Sequence, residues 1–255
     1  TLQVDTGNIG PTITPIANQT INEDGSTGTI SFAVSDDTTP AGSISVSAVS
    51  NNPSLLPAIG SIFLSGSGSN RSIMVNPADH QSGIATVTVT ADDTTGGKTT
   101  ESFTVTVNPV ADTPILSVNN AVQGAEDSNI PLTINASLVD NDGSESLSVL
   151  ISGVPVGEGA GLSAGTHNGG GSWTLTQSDL TGLTVRPRLN DTSTFTLSVT
   201  ALSTESGNNH TASASQTITV TVIEESDAPI ISGIGDQTTN EDSATTPINF
   251  TVTDQ

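Results

Sequence analysis

The segment INEDGS at residues 21–26 has near-copies in QGAEDS at 123–128 and TTNEDS at 238–243. Pro11, Pro114 and Pro229 precede Glu23, Glu126 and Glu241 by 12 residues each. Beyond each glutamate an aspartate closes an apolar alternating run at Asp36, Asp140 and Asp254, which lie 13, 14 and 13 residues on. The prolines stand 103 and then 115 residues apart, a period that suits one whole domain per repeat and is too long for solenoid units. Residues 11–112 and 113–227 are therefore read as two complete repeats, and 228–255 as the truncated start of a third. The opening TLQVDTGNIGP reads like TVTVNPVADTP (104–114) and TVTVIEESDAP (219–229), which marks 1–10 as the last strand and linker of a preceding repeat. The chain is expected to be a piece of a longer array.

Within each repeat the pattern is that of strands. Ile30, Phe32 and Val34 in TISFAVSD, Val87, Val89 and Ala91 in TVTVTAD, Phe103, Val105 and Val107 in SFTVTVN, and Phe195, Leu197 and Val199 in FTLSVTA alternate with Ser or Thr at period two. One face is buried and the other is wet. Helical periodicity is missing, and turn chemistry such as HNGGG (167–171) and DDTTGG (92–97) separates the runs. The expected fold class is all-β: tandem immunoglobulin-like antiparallel β-sandwiches in a linear array. Aromatic residues make up only 2% of the chain, so each core must be built from Val, Ile and Leu. Domains of this size with small core residues have modest stability, and an external stabiliser would matter.

Charge excludes several partners. With 26 acidic residues against 4 Lys plus Arg, net charge -22, the chain would be repelled by nucleic acid and by anionic membranes. Cysteine is absent, so disulfides do not stiffen the domains, although the Thr, Ser, Asn and Gly abundance resembles that of exported proteins. No apolar run is long enough for a spanning helix, and no basic-then-apolar signal opens the chain.

The acids need a reason to be where they are. Strand parity carries Ile30, Phe32, Val34 onto Asp36, Leu132, Ile134, Ala136, Leu138 onto Asp140, and Ile248, Phe250, Val252 onto Asp254. A carboxylate in the core-facing register is expensive unless it lies at the open end of a sandwich, where water, a cap or a cation satisfies it. Four basic residues cannot neutralise this chain. In a meander or Greek-key order the Glu-Asp pair lies at one pole and the Asp36-type residue at the other, so stacked repeats would bring Glu23 and Asp24 towards Asp140 and Asp142, with Asp112 between them.

NED at 22–24, the acid of NPADH at 79, the linker ADTP at 111–114 and DNDG at 140–143 resemble the successive calcium-binding elements of cadherin repeats. Both complete repeats are also similar to the cadherin-like or immunoglobulin-like tandem domains of large bacterial RTX-type surface adhesins, most clearly over 70–93 and 137–157. The resemblance implies that Ca2+ bridges neighbouring repeats of the same chain. It implies a stiff extender on the bacterial cell surface, extracellular, monomeric and associated with biofilm, with ligands of the cell surface or biofilm engaged through other domains.

The candidate set is fullest at the junction of the first two repeats: Glu23, Asp24, Asp79, Asp112, Asp140, Asp142 and Glu205, the last in the loop after TLSVTALST. The junction after Asp227 offers Glu126, Asp127, Asp191, Asp227 and Asp254. Asp36 and Asp93 complete the candidates; Asp92 and Asp93 read equally as the start of a hairpin. Before Pro11 the linker reads TGNIG, with Asn8 where the pattern has an acid. Calcium accepts irregular cages of about six to eight oxygens, whereas magnesium demands a tight octahedron. Zinc would want His or Cys, and three scattered His without Cys supply no cluster.

Other residues receive plainer readings. NEDG or DDTTGG taken singly is an ordinary turn. His80, His167 and His210 are expected to be solvated, and Trp173 in SWTLTQ to be core rather than a sugar-stacking platform. Arg186 and Arg188 in VRPRLND would pair with Asp191. The sequons, such as Asn18 and Asn135, are chance matches in a Thr/Ser-rich chain. No motif gathers a nucleophile and base, so no enzyme is expected. The expected function is a calcium-rigidified extender segment. The alternative is a carbohydrate-binding, surface-ligand-binding or homophilic adhesion module.

Overall fold

A computed structural model describes residues 9–253. The expected strand of a preceding repeat, apart from residues 9 and 10, and the candidate ligand Asp254 thus lie outside the described residues. The described chain is all β, tandem immunoglobulin-like sandwiches, with no α-helix and a single 3-10 turn at Gln177–Leu180. It divides into two compact units. The first takes the described residues up to Thr113 together with Leu138–Ser146 and Ser203–Ala212, and the second takes Pro114–Ser137, Leu147–Leu202 and the residues from Ser213 on.

In the first unit β1 (Thr12–Ile13), β2 (Gln19–Asn22), β3 (Ile30–Ser35), β4 (Ser45–Ser50), β5 (Ile62–Ser67), β6 (Asn70–Val75), β7 (Gly83–Asp92) and β8 (Lys98–Asn108) form two sheets, ordered β1-β3-β6-β5 and β2-β8-β7-β4. The opening strand is split. β1 pairs antiparallel with β3, whereas β2 crosses to the other sheet and lies parallel to β8, from Gln19 opposite Val105 to Asn22 opposite Asn108. The alternating residues do what their parity demands: Phe32, Val34, Val87, Val89, Ala91, Phe103, Val105 and Val107 are buried in one core with Leu55, Leu56 and Ile73. Burying each of these Val, Leu, Ile and Phe side chains contributes roughly 1.5–3 kcal/mol.

The second unit repeats the scheme. β9 (Ile115–Val118), β10 (Ala121–Ala125), β11 (Ile130–Pro131), β12 (Ile134–Ser137), β13 (Glu145–Ser152), β14 (Gly161–Leu162), β15 (Thr166–Gly169), β16 (Ser172–Leu175), β17 (Thr184–Arg186), β18 (Phe195–Glu205) and β19 (Thr211–Ile223) follow in order. The large sheet runs β10-β19-β18-β13-β16-β15, faced by β11-β17-β14 and by β9 paired with β12. The opening strand is split again, β9 antiparallel to β12 and β10 parallel to β19. Leu197, Val199, Ile151, Val185 and Ile218 centre its core.

Past Ile223 the described residues form one short pair, β20 (Ile230–Ser232) with β21 (Thr251–Thr253). Here parity does not produce burial. Ile248, Phe250 and Val252 are exposed, because two short strands offer no second sheet to receive them.

Candidate metal centre

The parallel pairing of β2 with β8 fixes where the first Glu-Asp pair goes. Glu23 continues the ladder for one bond, its N–H donating to the Asn108 carbonyl at 3.0 Å, so its carboxylate emerges where β8 gives way to the linker. There Oε1 accepts from the Val110 N–H. Asp24 then turns the chain through the left-handed region at φ 58°, a conformation that Asp tolerates better than most side chains. Its Oδ1 accepts from the His80 N–H at 2.9 Å, and His80 is itself left-handed at φ 54°.

Two further loops of the same compact unit supply the rest. In DNDG, Asp140 is 2% exposed and its Oδ1 accepts from the Asp142 N–H at 2.8 Å. Asp142 is exposed and spends its own Oδ1 on the Ser144 N–H at 2.7 Å. Glu145 Oε1 accepts from the Asp112 N–H at 2.6 Å, and the Asp112 carbonyl accepts from the Ser203 hydroxyl at 2.6 Å. The loop after β18 folds back through Glu205, whose N–H donates to the His210 carbonyl at 2.9 Å. His210 Nδ1 in turn accepts from the Ala111 N–H at 3.0 Å.

These turns bring oxygens of Glu23, Asp140 and Glu205 within 4.8 Å of one another, with all three side chains buried. A second trio, Asp24, His80 and Asp112, meets the same distance nearer the surface. His80 Nδ1 stands 2.8 Å from Asp112 Oδ2 and 3.5 Å from Asp24 Oδ2.

The electrostatics of the buried trio are unfavourable as it stands. Burial pushes the Glu23 carboxyl up to about 7, against the pull of the Val110 N–H and with the charges of Glu205, Asp140 and Asp24 adding to the rise. Burial likewise raises Glu205 and Glu145, whose hydrogen-bond donors only partly offset it and whose neighbouring carboxylates reinforce it. For His80 burial pulls the imidazole down, but Asp24 and Asp112 more than reverse this and the net shift is upward. Oε2 of Glu23, of Glu145 and of Glu205 are buried without a hydrogen-bond partner. Among the described residues the Lys and Arg ion pairs are Lys98 with Asp92 and Arg188 with Asp191, so neither cation reaches this cluster. Buried, unpaired anions require either protons or a cation. The donor set is almost wholly carboxylate oxygen, which suits a hard divalent ion, and its irregular layout suits calcium better than magnesium. Glu23, Asp140 and Glu205 would hold the ion, with Glu145, Asp112 and Asp24 at hand.

Other predicted ligands fall elsewhere. Asp79 is exposed and outside both trios. Glu126 and Asp127 rebuild the same turn: the Glu225 N–H donates to Glu126 Oε1 at 2.9 Å, the Asn190 N–H to Asp127 Oδ1 at 3.1 Å, and Asp127 is left-handed at φ 57°. Yet Glu126, Asp127, Asp191 and Asp227 form no such trio among the described residues. Asp191 accepts from the Ser193 N–H and stands 3.9 Å from Arg188. Arg186 has no part in that pair, contrary to expectation. Asp36 Oδ1 accepts from Thr38 and Thr39, whose N–H groups hold its carboxyl below the usual range. Asp93 is fully buried and its Oδ1 accepts from Thr95 and Gly97, so it does open the hairpin as an ordinary turn would.

His167 and His210 are exposed, as expected, although each has a neighbour; His80, half-buried, departs from the expectation. His80 stands among carboxylates, His210 accepts from Ala111, and His167 packs on Trp173 with ring centroids 4.9 Å apart. Glu145 was also missed. Its one sequence signal is its place two residues beyond DNDG, whereas nothing in the sequence marks His80.

The model of the bacterial Ig domain family matches residues 8–107. No curated protein sequence matches the chain. Among solved structures, the chain is similar to the protocadherin gammaB7 EC3-6 cis-dimer, at 19% identity and TM-score 0.44, covering 87% of this chain and 53% of that one. Mouse cadherin-23 EC22-24 matches at 15% identity and TM-score 0.46, over 97% of this chain and 79% of that one. The N-terminal Ig1-2 module of the Drosophila receptor protein tyrosine phosphatase DLAR matches at 12% identity and TM-score 0.32, over 84% of this chain and 99% of that one. The chain thus spans about half the length of the protocadherin fragment. These likenesses concern architecture and say nothing of ligands.

Proposed function

We propose that this chain is a calcium-binding structural segment of an extracellular bacterial adhesin, in which Ca2+ stiffens the chain from one sequence repeat to the next and so projects a distal binding domain. One observation carries the reading: Glu23, Asp140 and Glu205 are buried together, with Oε2 of Glu23 and of Glu205 left unpartnered and, among the described residues, no Lys or Arg paired to them. Glu23 comes from the first sequence repeat, and Asp140 and Glu205 from the second. A shared ion therefore ties segments more than a hundred residues apart in sequence, and it replaces mutual repulsion with common coordination. When bound, calcium supplies the neutralising charge. The chain's own residues orient the oxygens: Val110 fixes Glu23, Asp142 and Ser144 fix Asp140, and Ser144 lies 3.4 Å from Glu205 Oε1.

The role is structural rather than catalytic, because the acids are committed to one another and to backbone N–H groups rather than facing a substrate cleft. Extracellular modules bind calcium with Kd near 10⁻⁴ to 10⁻³ M, and at a hundredfold excess over Kd the ion adds about 2.7 kcal/mol per site. That is a large fraction of the stability of a small sandwich.

Small-angle X-ray scattering with millimolar calcium and with chelator tests the proposal. A stiffer, less variable particle in calcium is expected. Superimposable profiles, in a sample that calorimetry shows to bind no calcium, would overturn it.

A further inference from the structure

The chain carries four Lys plus Arg against 26 acids, so each cation should be easy to pair, and three of them are engaged. Arg71 donates to the carbonyls of Gly66, Ala41 and Ile44, Lys98 pairs with Asp92 at 2.7 Å, and Arg188 stands 3.9 Å from Asp191. Arg186 is the exception. Its guanidinium makes no hydrogen bond and no ion pair among the described residues, although its Nε is buried. Buried donors normally find a partner, and one that does not calls for an explanation.

The surroundings of Arg186 supply one. It ends β17, directly opposite Gly161 of the short edge strand β14. Beside it lies a concavity of about 280 Å³, lined by Arg186, Trp173, Asn129 and residues 159–163. Trp173 enters from the other sheet, opposite Ile151 of β13, and is only partly buried against the core. His167 packs against its ring at 4.9 Å, with the planes inclined by 32°. The indole N–H donates to nothing within the described residues, and neither does the exposed Asn129 amide. Glycine keeps the space open. Gly161 lies at φ 156°, and a Cβ there would come within 3.3 Å of Trp173 Cζ2; Gly159, at φ 76°, makes room for Leu189 in the same way.

An unpaired guanidinium, an aromatic wall with a free N–H and an amide rim at one small cavity form a coherent recognition set. We propose that this concavity binds one unit of an acidic saccharide. The guanidinium takes the carboxylate through parallel N–H donors, the indole covers the C–H face of the ring, and Asn129 reaches a hydroxyl. The proposal places a direct surface contact within the second repeat and does not depend on calcium. The anion overcomes the repulsion of the wider chain because, at physiological salt, charges more than about 8 Å away are largely screened.

Trp173 is the single tryptophan, so its fluorescence reports on the site. The full chain is titrated with D-glucuronate, with glucose and acetate as controls, in calcium and again in chelator. The expected result is a saturable change with glucuronate in both buffers, negligible with either control and about tenfold weaker in Arg186→Gln, the loss of one charge-assisted pair. Arg186→Lys, which keeps the charge without the planar fork, should fall between, and it serves if Arg186→Gln unfolds. The assignment is overturned if glucuronate gives no saturable response, if acetate binds as well, if affinity is unchanged in Arg186→Gln and Arg186→Lys, or if binding requires calcium.

Discussion

His80 Nδ1 stands 2.8 Å from Asp112 Oδ2, so an imidazole on one loop meets the carboxylate of the linker that leads out of the first sequence repeat. Without metal, His80 when protonated brings a positive charge to the edge of the acid cluster, and Asp24 and Asp112 favour that form. His80 and Asp112 are both partly exposed, and pairs of that kind contribute about 0–1 kcal/mol.

Replacing His80 should therefore have a small, condition-dependent effect. His80→Gln is expected to lower the melting temperature in chelator at pH 6, with the difference gone by pH 8.5. The raised imidazole pKa gives the sign: its stabilisation is complete below the unfolded value and is lost as pH rises through the folded one. In calcium at neutral pH the variant should melt like the parent. Thermal denaturation followed by circular dichroism at the two pH values checks both statements.

The acid cluster makes the metal-free protein less stable as pH rises. Glu23 titrates near 7 in the folded state against 4.5 for the free carboxyl, so between those values the folded chain holds more protons than the unfolded one. Stability in chelator should fall across that window and then level off. Calcium competes with the same protons, so its affinity should rise over the same interval. Denaturant titrations at pH 5 and pH 7.5, each with calcium and with chelator, read out both trends, and flat stability in chelator would contradict them.

Removing one buried charge should separate metal binding from folding. Glu205→Gln is expected to lose the calcium-dependent rise in stability, about 2.7 kcal/mol at a hundredfold excess over Kd. In chelator it should be as stable as the parent or more so, because burial and the nearby Glu145, Asp140 and Asp142 no longer act on a charge. Asp112→Asn combined with Asp140→Asn should likewise abolish calcium dependence with both sandwiches still folded. Unfolding curves in the two buffers decide it.

The left-handed turn gives a backbone test. Asp24 lies at φ 58° and its counterpart Asp127 at φ 57°. Asp24→Gly should fold normally but bind calcium more weakly, whereas Asp24→Val should destabilise by about 1–2 kcal/mol through strain alone. Asp127→Val should destabilise to a similar extent through the same turn. Equal stability of the Gly and Val variants would show that the turn is not held in that region.

Most of the fold can be read from alternation because period two leaves little choice: Val87, Val89 and Ala91 point one way and are buried. The split opening strands are less visible, since crossing between sheets is decided by pairing partners far along the chain, as when Gln19 meets Val105. The site was legible where residues recur. Glu23, Asp140 and Glu205, all candidates on the sequence, lie together in the buried trio, and the candidates Asp24 and Asp112 lie in the second one with His80. His80 and Glu145 were not legible, because hydrogen bonds across 56 and 33 residues place them. Asp79 lies one residue away from the side chain that arrives: His80, with left-handed backbone at φ 54°, stands against Asp112 and Asp24.

Calorimetric titration of calcium into the parent chain and into Glu23→Gln combined with Glu205→Gln, with magnesium as control, tests the central claim most directly. The account predicts saturable calcium binding in the parent, much weaker magnesium binding, and the loss of at least one calcium site in a double variant that still folds. Identical calcium binding by parent and variant, or none by either, would contradict it.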